Sequence, residues 1–405
     1  MIFKPVRFWP LENRLCHYSW GSCSRAGHLP YLAELLSLPD DGRPLAELWI
    51  GAHPSRPSTV QINGQNILLD QLIHQFPEEI LGRHCLAAGF QNLPFLLKIL
   101  SCEKPLSIQC HPDLKTAAGL HAQFPERYPD SNHKPEILLA LTPFDALAGF
   151  REKSDILHDL MARDLFHEWL HFRQEQQFSL DNKGLCQALF ALPKSLLVPM
   201  LEQAAATLAS CGTLLPAEKL FLRLLQDYPG DAGSLFAFLL NHLQLEPGQA
   251  LFLAPRQIHA YLQGTGVECM ASSDNVIRAG LTQKIIAPDE LLAAADFESR
   301  PPEIQCGQFC APGKRHYVVP AKEFQLTLLE NANLDLAGLP ETPGILLVLK
   351  GSGEICCPNG NCYFAGKGSA WLRPAKLRNG SFRPADENTL AVWCDGIVVK
   401  HDNIS

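Results

Sequence analysis

Gln109 and His111 stand two residues apart in Ser107-Ile108-Gln109-Cys110-His111-Pro112-Asp113, just after the apolar run Leu93-Pro94-Phe95-Leu96-Leu97-Lys98-Ile99-Leu100. On a strand, positions i and i+2 project from one face, so an amide oxygen and an imidazole would converge on a shared point. That is half of a metal site, and using it constrains the fold: distant segments must bring further donors to the same strand face. Two segments offer them. Asn132-His133-Lys134-Pro135-Glu136-Ile137-Leu138-Leu139-Ala140-Leu141 puts a carboxylate at the mouth of an apolar strand, where Pro135 fixes the backbone and has no N–H for a ladder. Leu245 to Tyr261 reads as a Pro247-Gly248 turn, a short apolar strand, a second turn and a strand carrying His259. Singly, Glu136 also suits an exposed strand-end acid, and His259 a core histidine bonded to a carbonyl. Together, two imidazoles, one carboxylate and one neutral amide oxygen leave a divalent ion positively charged, with room for an exchangeable oxygen. That describes a Lewis acid rather than a structural zinc closed by thiolates.

These segments resemble those of the type I phosphomannose isomerases (mannose-6-phosphate isomerases). The similarity runs through Asn13 to Gly21, Glu47 to Ser58, Pro94 to Asp113, Asn132 to Leu141, Tyr228 to Gly264 and Glu268 to Lys284, six blocks in the family's order. The resemblance implies a zinc enzyme with one ion per chain, held by Gln109, His111, Glu136 and His259, that interconverts mannose 6-phosphate and fructose 6-phosphate by proton transfer through an enediol. It also makes Arg278, in Ser273-Asp274-Asn275-Val276-Ile277-Arg278, an active-site arginine. On its own that residue reads as a solvated surface charge, and Ser-Asp-Asn as a turn. A permanently charged guanidinium suits the stabilisation of an enediolate-like transition state. The proton shuttle is open among Glu268, Lys134 and His133, with Asp274 behind them; Glu268 could equally orient a ligand, and Lys134 could bind phosphate. For the phosphate, Ser107 shares the strand face of Gln109, and Lys98 and Lys284 lie in the matched blocks. The chain departs from the family's pattern at Gln249, Cys110 and Gln283, none of them a proposed ligand, and the pattern stops at Lys284, since Ile285 to Leu291 lacks aromatic, histidine or basic character.

With 34 basic against 42 acidic residues, the net charge of −8 excludes a general attraction for nucleic acid, so an anionic substrate must be drawn in locally. The first ten residues hold no long apolar stretch and no later run approaches a spanning length, so the sequence predicts a cytoplasmic protein without signal peptide or membrane anchor; the expected state is a monomer. The fourteen cysteines are irregularly spaced and read as reduced, mostly buried thiols. Cys356-Cys357-Pro358-Asn359-Gly360-Asn361-Cys362 resembles a zinc knuckle, but Pro-Asn-Gly is a hairpin turn and no second cysteine pair lies within reach.

The expected fold is mainly β with a helical insert. Residues 1–149 read as short strands with helical stretches at Pro30 to Leu38 and Leu68 to Leu81. From Ser154, a candidate cap, the apolar positions Ile156, Leu157, Leu160, Met161, Leu165, Trp169 and Leu170 recur at helical spacing, and further helices follow at Leu196 to Leu208 and Ala217 to Tyr228. Strands resume at Ser234 to Leu240. Residues 150–233 thus form an all-helical inserted domain, and 1–149 with 234–317 a discontinuous catalytic domain. Short antiparallel strands around a metal describe a cupin-like jelly roll, also the fold the resemblance implies. Residues 318–405 read as a second jelly roll with strands at Phe324 to Leu329, Gly344 to Lys350, Gly353 to Cys357, Cys362 to Ala365, Ser369 to Leu372 and Leu390 to Val399. No Gly-rich nucleotide signature accompanies them, which argues against the bifunctional guanylyltransferase relatives. Two other readings are an iron oxygenase on the same fold, which would favour two histidines and a carboxylate without Gln109, and a non-catalytic sugar-phosphate sensor. Mannose use and GDP-mannose supply are both open as the pathway served.

Overall fold

A computed structural model describes residues 7–25 and 27–396. Its spine is the thirteen-residue strand His259–Ala271 in an eleven-stranded antiparallel sheet. The C-terminal half of this strand lies between Phe95–Cys102 (Gly264↔Cys102 to Ala271↔Phe95) and Glu136–Ala140 (Gly266↔Ala140 to Met270↔Glu136). Its N-terminal end pairs instead with Phe144–Phe150 and Ile108–Cys110, with His259 opposite both Ala148 and Gln109. The change of partners occurs at an irregularity between Tyr261 and Gln263, followed by Gly264 at φ +128°. A Cβ at Gly264 would stand 2.7 Å from the Pro143 carbonyl oxygen, so only glycine lets the backbones approach this closely.

Alternation gives the sheet two faces. Leu97, Ile99, Val267, Cys269, Ile137 and Leu139 face one way and join a buried cluster with Leu326, Leu328, Leu347 and Val392 of a second, nine-stranded sheet. Residues one position off project from the opposite face, among them Trp49, Lys98, Glu268 and Glu136. The nine-stranded sheet draws on both ends of the chain: Trp9–Glu12 lies between Ala370–Arg373 and Thr59–Ile62. A four-stranded sheet orders Leu334–Asp335, Ser381–Pro384, Ser352–Cys356 and Cys362–Gly366.

Helices fill the insert at Lys153–Met161, His167–Glu175, Asn182–Ala191, Lys194–Ala209 and Pro216–Asp227. They bury Trp169, Leu201, Phe221 and Leu224 in one core with Ile108, Cys110, Ile258, Ala260 and Ile277 on the back of the site-bearing strands. Several expectations need correction. Ser154 caps nothing: the helix starts at Lys153 after Glu152, with no side-chain cap. The expected single helix to Leu170 is two, parted at Asp164, which adopts φ +52°. Residues 234–239 are not strand. Asp231 accepts a hydrogen bond from Gly233 N–H at 2.7 Å and starts a 3-10 turn, a short helix Phe236–Leu239 follows, and the strand is Leu240–Leu245. A run buried all round shows no period to tell helix from strand. Leu68 to Leu81 is likewise two helices, Leu69–Gln75 and Pro77–Ile80, broken before Pro77, and Tyr31–Leu36 is helical as expected. The last expected strand is observed as Leu390–Gly396; its continuation to Val399 lies outside the described residues. No single helix among the described residues is long and apolar enough to cross a membrane.

One ion-pair cluster ties insert to sheet. Asp145 of Phe144–Phe150 accepts from Arg223 of Pro216–Asp227 at 2.8 Å and lies 3.8 Å from His242. Burial works against its charge, but the bonds from His242 and Arg223 prevail and hold the carboxyl at about 2. Asp145→Asn is expected to cost about 1–2 kcal/mol at neutral pH, allowing for the partial exposure of both partners. Because the folded pKa lies below the ordinary 3.8, the contribution is full above that value and is lost as pH falls towards 2. Urea denaturation should therefore show the wild-type advantage shrinking between about pH 4 and 2.

Candidate metal centre

Strand pairing builds the centre from segments far apart in sequence. Ile108–Cys110 lies between His259 on one side and Ile277–Gly280 on the other, with Arg278 opposite Gln109. Ile108 and Cys110 point into the helical core, so Gln109 and His111 point the other way. The strand ends at Cys110, just before His111, and Asp113 then caps the helix Leu114–Gln123 by accepting from Thr116 N–H at 2.8 Å. Glu136 opens its strand opposite Met270 and Leu253.

The result is a buried cluster of acceptors. His111, Glu136 and His259 are each 1% exposed, and one donor atom from each lies within 4.8 Å of the others. His111 Nε2 is 3.3 Å and His259 Nε2 3.6 Å from the Glu136 carboxylate. The other ring nitrogens are engaged: His111 Nδ1–H donates to the Asn275 carbonyl at 2.8 Å, and His259 Nδ1–H to the Gln257 carbonyl at 3.0 Å. These bonds fix the tautomer that leaves both Nε2 lone pairs turned towards Glu136. Burial keeps both rings neutral, His111 below its ordinary pKa and His259 down to about 4. Burial opposes the charge on Glu136, yet the ammonium of Lys134 beside it helps to hold it well below the usual carboxylate range. Lys134 Nζ lies 3.3 Å from Glu136. His111 Nε2 and Glu136 Oε2 are buried without a hydrogen-bond partner. Two lone pairs and a carboxylate facing one point fit a divalent cation. Gln109 Nε2 stands 3.2 Å from His259 Nε2, and turning the amide over would present Oε1 in its place as a fourth ligand.

Beside this cluster lies a cleft of about 870 Å³ whose wall includes Ser107, Gln109, Lys98, Lys134, Asp274, Arg278 and Lys284. Glu268 sits behind it, 3% exposed, 3.0 Å from Lys98 Nζ. Lys98 is also 3.7 Å from Glu47, whose carboxylate accepts from Trp49 Nε1–H at 2.8 Å, and its ammonium lies 4.9 Å from the Trp49 ring centre. Burial lifts the pKa of Glu268, with Lys98 opposing. Burial would lower that of Lys98, but Glu268 and Glu47 raise it. The charge of Lys98 is thus already engaged. Arg278 and Lys284 differ: among the described residues neither side chain has an ion-pair partner, and burial lowers both pKa values, with Arg278 also acting on Lys284. His133 turns away from the cleft to bond Glu323 at 2.9 Å and lines a separate cavity of about 690 Å³. Asp274 pairs with His53 at 3.3 Å.

Sequence reading passed over the supports. Glu47 and Trp49 carry the same i, i+2 signal as Gln109 and His111, and could have been found by it. Asp130 could not: it receives Asn275 Nδ2–H at 3.0 Å and Ser273 Oγ–H at 2.8 Å, and so steadies the carbonyl that orients His111.

Comparison with known proteins places this geometry. Residues 8–153 match the family described as phosphomannose isomerase type I, catalytic domain. The chain is 36% identical over 364 residues to mannose-6-phosphate isomerase of Escherichia coli, covering 85% of this chain and 89% of that one. It is 36% identical over 334 residues to mannose-6-phosphate isomerase 1 of Arabidopsis thaliana, covering 78% and 77%. A variant of phosphomannose isomerase from Salmonella typhimurium superposes with a TM-score of 0.85 at 28% identity, over 97% of this chain and 100% of that one. A zinc-bound mannose 6-phosphate isomerase superposes over the same shares at 0.84 and 28%.

The acceptor cluster predicts that the protein binds one divalent ion per chain in equilibrium dialysis. His111→Ala or His259→Ala should weaken that binding by at least about 100-fold, since each removes one of the donors that close the site. Unchanged metal content in either variant would remove that histidine from the ligand set.

Proposed function

The chain belongs to the type I phosphomannose isomerases, and from that premise we propose that it is a zinc-dependent enzyme interconverting mannose 6-phosphate and fructose 6-phosphate by proton transfer through an enediol. The observation that carries the reading is the meeting of His111, His259 and Glu136 on one buried point beside a cleft holding the unpaired cations Arg278 and Lys284. Gln109, His111, Glu136 and His259 would hold the zinc, which supplies a Lewis acid for the C1 and C2 oxygens of the open-chain sugar.

The chain's own residues carry the remaining steps. Arg278 keeps its charge at any working pH and stabilises negative charge that develops on an enediolate oxygen. Glu268 is the favoured proton carrier: its Oε2 is held by Lys98 Nζ, and burial shifts it towards the range where it can both take and return a proton. Lys98 then serves more naturally as the group that positions Glu268 than as a phosphate ligand. Lys134, fixed beside Glu136, suits ligand charge balance or a hydroxyl contact. Lys284 and Ser107 suit the phosphate, since both line the cleft and Lys284 lacks a carboxylate partner. The eleven- and nine-stranded sheets packed face to face support the cupin-like, double jelly-roll reading.

The test is turnover. Metal-analysed protein should convert mannose 6-phosphate to fructose 6-phosphate, lose that activity on chelation and regain it with zinc. Arg278→Ala should retain its metal and lose about 10²–10³-fold in kcat, the scale of one charge-stabilising donor. Wild-type protein that binds zinc and substrate without turnover would instead identify a sugar-phosphate sensor.

A further inference from the structure

The hairpin made by Ser352–Cys356 and Cys362–Gly366 sets Cys356 directly opposite Cys362. Cys357 N–H donates to the Asn361 carbonyl at 2.9 Å. In an antiparallel ladder that bond makes the adjoining Cys356–Cys362 pair a non-hydrogen-bonded one, whose Cα atoms stand about 4.5 Å apart with side chains close together. A disulfide spans Cα separations of about 4.4–6.8 Å, so it can close here without moving the backbone. The two sulfurs are 2.9 Å apart.

Accessibility separates this pair from the other close pair of thiols, Cys269 and Cys394. Ile355, Ala365 and Phe382 point into the core under the sheet, so Cys356 and Cys362 lie on its outer face, Cys362 exposed and Cys356 partly so. Cys269 and Cys394 also approach, to 3.1 Å, but both are fully buried where the two large sheets meet and no oxidant can reach them. Cys357, next in sequence, points inward.

A metal is the competing occupant, because Glu354 brings a carboxylate within 4.8 Å of both sulfurs. Two thiolates on one tetrahedral zinc at about 2.3 Å stand about 3.7 Å apart, however, and a structural zinc takes a fourth protein ligand. The sulfurs here are closer than that, on an open face.

We propose that Cys356 and Cys362 are a reversible dithiol–disulfide pair, oxidised by a small disulfide such as glutathione disulfide. The exposed Cys362 thiolate attacks one sulfur of glutathione disulfide; a bond forms from Cys362 to glutathione, and one glutathione thiolate leaves. Cys356, as thiolate, then attacks Cys362 Sγ and expels the second. The two cysteines lose two electrons and two protons, and glutathione disulfide gains them as two molecules of glutathione.

The test is intact-mass analysis and non-reducing peptide mapping of the full chain equilibrated in glutathione redox buffers. The expected result is a loss of two hydrogens, a cross-link mapped to Cys356–Cys362, and full reversal by reduced glutathione. Cys356→Ser should instead accumulate glutathione on Cys362, because the thiol that resolves the mixed disulfide is gone. Mapping is essential, since Cys306 and Cys310 are exposed as well. A cross-link elsewhere, or two thiols still alkylated under oxidising buffer, overturns the proposal. Protection of both thiols by added zinc with no loss of hydrogen would assign a metal site with Glu354 instead.

Discussion

A carboxylate that is 1% exposed is the interaction around which the centre is built. Burying an ionised Glu136 costs several kcal/mol unless nearby positive charge and donors repay it. Lys134 supplies one positive charge at 3.3 Å. The two imidazoles do not help: their Nδ1–H groups are committed to the Asn275 and Gln257 carbonyls, so each turns a lone pair towards a negative group. Protonating one imidazole would relieve the conflict, but burial holds both below their ordinary pKa. A cation seated among them converts three mutually repelling acceptors into three bonds. An ion bound only in the folded state also stabilises the fold by mass action, about 4 kcal/mol at a thousandfold excess over its dissociation constant. Occupation of the cluster by a cation would therefore be coupled to folding.

That coupling needs a rigid frame, and one strand provides most of it. His259–Ala271 touches Gln109 at one end, Glu136 at the other and Lys98 between, so a register slip of one residue would turn His259 and Glu268 to the opposite face. The opposite face resists such a slip. Val267 and Cys269 are packed against the nine-stranded sheet, and Ala260 and Leu262 against the helices of the insert. The insert thus backs the strands that carry Gln109, His259 and Arg278, although it brings no ligand to the metal.

The segments that meet at the centre were legible in the sequence because strand chemistry is local. Gln109 and His111 at i, i+2, Pro135 before Glu136, and the Pro247-Gly248 turn before His259 each carry a signal within a few residues. What could not be read was pairing. Nothing in Trp9–Glu12 shows that it lies beside Ala370–Arg373, because that contact is fixed by the packed sheets and not by local pattern. The same holds for Lys98, which resembles a phosphate ligand in sequence and lies between Glu268 and Glu47 in space. Helix Leu114–Gln123 has a good cap in Asp113 but buries only Ala117, so its sequence shows little apolar period. The run Leu235 to Leu239 was misread for a different reason: a fully buried segment shows no amphipathic period.

Electrostatics links the site to an anionic substrate despite the net charge of −8. At an ionic strength near physiological, fields from the distant acidic surface decay within about 8 Å, so what an approaching phosphate feels is the wall of the cleft. Of the cations there, Lys98 and Lys134 are neutralised by buried carboxylates, while Arg278, Lys284, Arg56 and Lys104 have no ion-pair partner among the described residues. Lys284 responds to that company, its pKa lowered by burial and by Arg278. Two like charges held together in a half-buried cleft repel each other, and a dianion placed between them removes the repulsion as well as adding attraction. The paired cations Lys98 and Lys134 are thus the buried ones, and Arg278 and Lys284 the more exposed, so an approaching anion meets uncompensated positive charge first.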